Sequence, residues 1–261
     1  MHLVVHELRL FFVALQFLSR VPAPRWTGFN PQWLNTCVRH FPLAGAVIGA
    51  AGAAVLWAAQ ALWPPAVAAL LAVAATTWLT AAFHEDGLAD TFDALLGAAA
   101  RARALAIMKD SRIGTYGAAA LVLVLGLRIA LLATLLAQGV SVAAVGLVAS
   151  HMLGRAAAVV LMTLLPYAGD AAHAKAKPLA CAVAPRDAIL AVGWCLIPVL
   201  FLALVGAPAH GRWLAAVGAA AVVLLMRRWL QRRLGGYTGD TLGATEQLGE
   251  VAVLLALAAA W

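Results

Sequence analysis

Long apolar stretches separated by short polar segments run through the chain and predict transmembrane helices. A helix of about 20 apolar residues crosses a hydrocarbon core about 30 Å thick. The stretches that fit a span are residues 41–63, 66–83, 116–137, 142–165, 187–205, 213–226 and 244–261. The pattern therefore predicts an all-α fold, a polytopic transmembrane helix bundle of about seven spans.

The first residues differ from these stretches because polar side chains interrupt them. Residues 3–19 are apolar on most faces but carry Glu7, Arg9 and Gln16. This spacing predicts an amphipathic helix that lies in the membrane interface, with a true span as the alternative. In the whole chain 64% of residues are hydrophobic and 11% are charged, which is far less charge than a soluble domain carries. We therefore expect residues 1–261 to form a single integral membrane domain.

The net charge of +7 is explained by membrane topology rather than by nucleic-acid binding. Lys and Arg are concentrated in segments 101–112, 166–186 and 227–243, whereas the connections near residues 64 and 139 carry none. Because basic loops stay in the cytoplasm, we expect the first group of segments to face it. The lipid bilayer is an expected partner, and nucleic acid is not.

An acidic motif at residues 84–93, His-Glu-Asp-Gly-Leu-Ala-Asp-Thr-Phe-Asp, follows the second apolar stretch directly. If it is helical, Asp86, Asp90 and Asp93 lie on one face, at positions i, i+4 and i+7. Three carboxylates so close repel one another, and a divalent cation such as Mg²⁺ would relieve the repulsion. The alternative is a solvated acidic cap on a membrane helix, but one carboxylate would be enough for that.

A second polar motif occupies residues 108–117 and combines Lys109, Ser111 and Arg112 with two glycines. Cations beside glycines and a carboxylate cluster suit the binding of phosphates. The alternative for the basic side chains is an anchor on lipid headgroups.

A third polar motif, residues 235–244, is rich in glycine and precedes the last apolar stretch. Glycines permit a ligand to approach the backbone, and a helix that begins after Asp240 offers unpaired amides. The alternative is an ordinary loop with a helix N-cap at Asp240 or Thr241.

Ionisable side chains also lie inside the predicted spans, where facing lipid is costly. Glu246 and Glu250 are one turn apart and should point into the bundle, where they complete a metal shell or hold an arginine. Arg155 should pair with a carboxylate or a phosphate. His151, one turn from Arg155, is typical of a hydrogen-bonded core histidine.

The three motifs together resemble the cobalamin synthase family, the adenosylcobinamide-GDP ribazoletransferases. The resemblance covers nearly the whole chain. The residues that carry it are 84–93, 108–117 and 236–244, with weaker agreement at 16–22 and at Gly154 and Arg155. One departure is Gly169-Asp170, where a basic residue is expected.

The resemblance implies a catalytic domain in the bacterial inner membrane with its active face in the cytoplasm. Such enzymes join adenosylcobinamide-GDP to α-ribazole, or to its 5′-phosphate, release GMP and require Mg²⁺. This phosphoryl transfer needs what the motifs offer, namely a metal-bound diphosphate and cations that support the leaving group. A homo-oligomer is left open.

The resemblance also implies roles for single residues. Asp86, Asp90 and Asp93 would hold Mg²⁺, with Glu85 or Asp110 assisting. The general base would be Asp93, Glu85 or His84, and the sequence does not choose among them. The side chains and backbone implied in substrate binding are Lys109, Ser111, Arg112, Arg155, Gly236, Thr238, Gly239 and Asp240.

Two other classes of protein remain as alternatives. A cation-coupled transporter also buries carboxylates in a helix bundle, but near the bilayer midplane and often in paired repeats, which are not apparent here. The CDP-alcohol phosphotransferases also use aspartates at a membrane face, but this chain lacks their second aspartate block.

Overall fold

The computed structural model describes residues 2–97, 99–169 and 183–260, and these residues form a bundle of α-helices. The helices are α1 (His2–Leu18), α2 (Trp33–Thr36), α3 (Phe41–Ala59), α4 (Pro65–Leu79), α5 (Phe83–Leu95), α6 (Arg101–Ile107), α7 (Thr115–Gln138), α8 (Val140–Leu164), α9 (Pro185–Trp194), α10 (Leu196–Leu204), α11 (Ala209–Arg233) and α12 (Gly239–Ala259). Short 3-10 turns lie at Arg25–Thr27 and Cys37–His40. Residues 170–182 of the predicted basic loop lie outside the described part.

The predicted all-α transmembrane bundle is confirmed. Within the part of the chain that the structure describes, six helical stretches are long and apolar enough to cross a membrane, and the bent pair α4–α5 makes up to seven. The six stretches are Trp33–Ala59, Thr115–Gln138, Val140–Leu164, Pro185–Leu204, Ala209–Arg233 and Gly239–Ala259. With the bent pair, they correspond one by one to the predicted spans. The N-terminal helix α1 is also present, and its place in the membrane interface stays a prediction.

The second predicted span, residues 66–83, ends early because the chain turns sharply. Helix α4 stops at Leu79, and α5 leaves it at an angle of 89°. The turn depends on Ala81 and Ala82, whose φ angles of 57° and 56° lie in the left-handed region. That region is costly for residues with a Cβ atom, and it breaks the α-helical ladder. The acidic motif therefore lies on a separate helix rather than at the end of a straight span.

Helix α8 is the most buried of the described spans and packs closely against α3. A Cβ atom placed on Gly49 of α3 would lie 2.8 Å from the Cα atom of Val148 in α8. The two backbones can approach this closely because small residues line the contact, as in many membrane bundles.

Polar contacts fix α1 to the rest of the bundle. Glu7 accepts a hydrogen bond of 2.9 Å from Arg39 and lies 2.9 Å from the His40 ring. Arg39 also contacts Asp187, at the start of α9, at 3.3 Å. The acidic side chain in the first helix therefore joins elements that are far apart in the sequence.

Candidate active site

The acidic motif forms the helix α5, as predicted, and its side chains point in two directions. Asp86 is exposed, and Asp90 and Asp93 are partly buried. His84 and Glu85 instead lie buried in the bundle, with 4% and 6% of their surface exposed. The aspartates and the two candidate bases at the start of α5 thus lie in different environments.

The C-terminal end of α5 meets the second motif at the start of α7. The Asp93 carboxylate accepts hydrogen bonds from the backbone N–H groups of Gly114 at 2.7 Å and Gly117 at 2.8 Å. Gly114 is the N-cap of α7 and Gly117 lies in its first turn, where N–H groups lack partners within the helix. A Cβ atom on either glycine would collide with this carboxylate. The acidic motif and the second motif therefore meet here, and Asp93 serves as an anionic cap of α7.

The basic side chains of the second motif lie in the connection between α6 and α7. Lys109, Ser111 and Arg112 are all exposed. Arg112 holds Asp110 through its Nη2 atom, 2.6 Å from Oδ2, and its Nε atom, 3.0 Å from Oδ1. These hydrogen bonds lower the pKa of Asp110 to about 2. Because a solvent-exposed pair of this kind is weak, a substrate phosphate can compete for Arg112.

The third motif packs its helix start against α5. A Cβ atom on Gly87 would lie 2.7 Å from the carbonyl oxygen of Asp240. Helix α12 begins at Gly239, and Thr238 is its N-cap. The Thr238 hydroxyl accepts from the Thr241 N–H at 3.3 Å, and the Thr241 hydroxyl accepts from the Thr238 N–H at 2.8 Å. The expected N-cap at Asp240 or Thr241 is therefore wrong. The N-cap is Thr238, two or three positions earlier, and its two reciprocal hydrogen bonds with Thr241 form a capping box.

The Gly236 to Gly239 backbone lies where three helix ends meet. Gly236 and Thr238 are buried, and Gly239 is exposed. Tyr237 donates from its N–H to the Pro166 carbonyl oxygen at 3.0 Å and accepts from the Ala168 N–H at 2.8 Å. This short bridge holds the third motif beside the end of α8.

A buried arginine connects α5, α7 and α12. Arg128 of α7 has 1% of its surface exposed. Its guanidinium lies 2.6 Å from Glu250 and 3.5 Å from Glu85, and it donates to Gln247 at 3.0 Å. Glu85 also accepts from the Thr77 hydroxyl at 2.9 Å. Glu85 is thus held in an internal ion network and does not share the exposed position of Asp86.

The arginine of α8 completes this network. The Nη1 atom of Arg155 lies 2.5 Å from Glu246 and 3.3 Å from Glu250. It also lies 3.1 Å from the Nδ1 atom of His151, which in turn contacts Glu250. The expectation that Arg155 pairs with a carboxylate or a phosphate is met by carboxylates. Its predicted contact with substrate stays a prediction.

The side chains that best resemble a preformed metal shell are not the aspartates of α5. Within the described residues, three such side chains bring ligand atoms within 4.8 Å of one another at His151, Glu246 and Glu250. The Arg155 guanidinium already lies among these three side chains. Because that cation neutralises the carboxylates, the buried group does not fit a divalent metal ion.

The aspartates fit Mg²⁺ in another way. Mg²⁺ usually keeps several waters and binds one or two carboxylates together with substrate phosphates. Asp86 is exposed and makes no hydrogen bond or ion pair through its side chain with any described residue. Asp90 lies one turn further along α5 and is partly buried. Asp93 has both oxygens engaged by backbone N–H groups of α7 and its N-cap.

Comparison with known proteins identifies the family of the chain. A family model described as cobalamin-5-phosphate synthase matches residues 10–258. The chain belongs to the cobalamin-5-phosphate synthase family. This match confirms the resemblance drawn from the three motifs.

Named relatives of this family member cover nearly its whole length. An adenosylcobinamide-GDP ribazoletransferase of Leptothrix cholodnii is 51% identical, over 99% of this chain and 98% of the relative. Proteins of the same name from Shewanella amazonensis and Albidiferax ferrireducens are 43% and 40% identical, over 98% and 96% of this chain and 96% and 98% of the relatives. No solved structure matches the chain.

One concave feature of this cobalamin-5-phosphate synthase family member was not predicted. A cavity of about 430 Å³ opens at the turn between α4 and α5. Its lining residues are Phe17, Ser19, Arg20, Thr80, Ala81, Ala82, Phe83 and Asp86. The signal that could have found it is segment 16–22, which supported the family resemblance but received no role.

Proposed function

We propose that the chain joins adenosylcobinamide-GDP to α-ribazole, or to α-ribazole 5′-phosphate, and releases GMP. The observation that carries this proposal is the meeting of three motifs on one helix. Asp93 of α5 holds Gly114 and Gly117 of the second motif, and Gly87 of α5 packs against Asp240 of the third. The names of the relatives and the family of transferases to which the chain belongs support the reaction.

The reaction is a phosphoryl transfer. A ribose hydroxyl of the ribazole attacks the phosphorus attached to the cobinamide side, a new P–O bond forms, and the P–O bond to GMP breaks. The hydroxyl loses its proton, and GMP carries the negative charge of the leaving group. A site for this reaction must hold both substrates in line and stabilise charge on the diphosphate.

We infer that Asp86 and Asp90 hold a Mg²⁺ ion. The ion would supply positive charge to the diphosphate oxygens. Lys109 and Arg112, both exposed in the neighbouring connection, would bind the same diphosphate, after Arg112 exchanges Asp110 for a phosphate. Arginine pairs with phosphate through two parallel hydrogen bonds, which fixes the orientation of the group.

The candidate general bases differ in their surroundings. Glu85 is engaged by Thr77 and Arg128, and His84 is buried. Asp93 is partly buried where the acidic motif meets the second motif, and it accepts two backbone hydrogen bonds. Each of the three stays a candidate, and Asp93 is the one whose position borders both the acidic and the basic motif.

We also propose that the active face lies in the cytoplasm of the bacterial cell, with the chain in the inner membrane. Two of the basic segments between spans, 101–112 and 227–243, lie at helix ends that border the candidate site. The positive-inside rule assigns that side to the cytoplasm.

The transporter alternative is not favoured. Its candidate residues, Glu246 and Glu250, are already paired with Arg155 and Arg128 inside the bundle. A site for a transported cation would need carboxylates that are not neutralised by fixed cations.

Purified protein in lipid vesicles would test the proposed reaction. We expect GMP and a cobalamin product from adenosylcobinamide-GDP and α-ribazole when Mg²⁺ is supplied, and loss of both on adding EDTA. Ion flux across the vesicles without GMP release would instead support the transporter.

A further inference from the structure

The cavity at the α4–α5 turn carries two charged side chains that have no partner of opposite charge among the described residues. Arg20 packs its guanidinium over the Trp78 ring at 5.4 Å and makes no ion pair with a described carboxylate. Asp86, on the opposite side of the turn, also makes none through its side chain. The two line one cavity without pairing with each other. The cavity therefore offers both a cation and a carboxylate to a ligand.

The other polar groups of this cavity are used by the protein itself. The Ser19 hydroxyl donates to the Leu15 carbonyl oxygen at 2.6 Å and accepts from the Val21 N–H at 3.2 Å. The Thr80 hydroxyl donates to the Thr76 carbonyl oxygen at 3.1 Å. Arg20 and Asp86 thus remain as the side chains that would bind a ligand.

The backbone position of Arg20 is fixed independently of its side chain. Its N–H donates to the Leu79 carbonyl oxygen at 2.8 Å, which joins the end of α1 to the end of α4. The left-handed Ala81 and Ala82 form the opposite wall. Strained backbone of this kind clusters at ligand sites. The first-turn amides of α5 receive no side-chain cap, so they add a weak positive potential to that wall.

The size of the cavity and its apolar walls limit the kinds of ligand that it can bind. A volume of about 430 Å³ lies at the lower end of ligand pockets and suits one nucleotide rather than a corrinoid ring. Phe17 and Phe83 line it, with their ring centroids 5.5 Å apart. Aromatic side chains bind flat heterocyclic bases by stacking.

We propose that this cavity binds a nucleoside phosphate, with Arg20 on the phosphate, the two phenylalanines beside the base and Asp86 facing the ribose or the metal-bound phosphate. This inference rests on the proposed function, because adenosylcobinamide-GDP and α-ribazole 5′-phosphate, two substrates of that reaction, each bring a nucleoside phosphate. Arg20 is then a substrate-binding residue that determines affinity for the phosphate group.

Steady-state kinetics of Arg20→Gln test the proposal, with Arg25→Gln as the matched control. Arg25 is an exposed arginine of the same connection that does not line the cavity. Loss of a charge-assisted hydrogen bond should raise KM about tenfold or more. If the acceptor binds here, KM rises for α-ribazole 5′-phosphate and not for α-ribazole. If the GDP half binds here, KM rises for adenosylcobinamide-GDP. An unchanged KM for all three substrates, or an equal rise in the Arg25 variant, overturns the proposal.

A second measurement uses the unaltered protein and does not depend on turnover. Phenylglyoxal labels accessible arginines, and mass spectrometry reads each site separately. We expect α-ribazole 5′-phosphate or GMP to protect Arg20 several-fold and to leave Arg25 labelled. Equal labelling with and without both ligands contradicts the proposal even if Arg20→Gln does not fold. If ligand protects Arg20 from labelling but the unaltered protein releases no GMP, the proposed reaction is contradicted and the nucleotide site is still supported.

Discussion

Replacement of the buried Arg128 by methionine is predicted to destabilise the bundle strongly. Arg128 contacts Glu250 at 2.6 Å, Glu85 at 3.5 Å and Gln247 at 3.0 Å, with 1% of its surface exposed. Together with Arg155 it neutralises three buried carboxylates, those of Glu85, Glu246 and Glu250. Without Arg128, the guanidinium of Arg155 alone remains to neutralise the three carboxylates.

The magnitude follows from the cost of an unpaired buried charge. Removing one partner of a buried ion pair costs about 3–5 kcal/mol, because the other charge stays in a medium of low dielectric constant. Arg128→Lys keeps the charge but loses the planar fork that reaches Glu250, Glu85 and Gln247 together, so an intermediate loss is expected.

The free energy of unfolding, measured in detergent micelles with increasing denaturant, tests this prediction. Arg112→Met is the matched control, since Arg112 pairs with Asp110 while 87% of its side chain is exposed. We expect no measurable change in the control. If Arg128→Met changes the free energy of unfolding by less than about 1 kcal/mol, the network does not stabilise the fold and the reasoning is refuted.

Three further changes test the contacts that assemble the motifs. Thr238→Ala removes the N-cap of α12 and should cost about 1 kcal/mol of unfolding free energy, measured as above; no change would exclude the capping box. Asp93→Ala removes the acceptor for two amides of α7, so hydrogen exchange at Gly114 and Gly117 should accelerate, and unchanged protection would contradict the capping role. Gly87→Ala places a Cβ atom 2.7 Å from the Asp240 carbonyl oxygen and should lower GMP release, whereas Gly126→Ala, with nothing within 4 Å, should not; equal activities would contradict close packing of α5 on α12.

Local patterns in the sequence were enough to predict the spans and the helical acidic motif. Apolar length identifies membrane helices because every backbone group in lipid must be hydrogen-bonded within the segment. Asp86, Asp90 and Asp93 recur with helical spacing, and α5 is indeed a helix. The distribution of Lys and Arg among the connections also predicted a common side of the membrane for the basic segments.

The 89° turn before α5 could not be predicted from sequence. It occurs at Ala81 and Ala82, and alanine is the residue with the highest helix propensity. Nothing in the local sequence marks it, because neither glycine nor proline stands at the turn. Helix α5 packs against α7 and α12, which are contacts between segments far apart in the sequence.

The side chains that pair with the buried charges also could not be predicted from the sequence. The cost of charge in lipid predicted that Arg155 pairs with a carboxylate or a phosphate. The choice of Glu246 and Glu250 depends on how α8 and α12 face each other. Arg128 joins Gln247, 119 positions away in the chain. Helical spacing predicts on which face of its own helix a residue lies, but it does not predict which neighbouring helix packs against that face.

The central claim is that carboxylates on the exposed side of α5 hold the metal for phosphoryl transfer. GMP release by Asp86→Asn and Asp90→Asn, titrated with Mg²⁺, tests it most directly, with Glu7→Gln as a control outside the site. We expect both asparagine variants to fold and to lose transfer, and the control to keep it. Transfer at the unaltered rate and the same Mg²⁺ requirement in a protein with both aspartates replaced would contradict the claim.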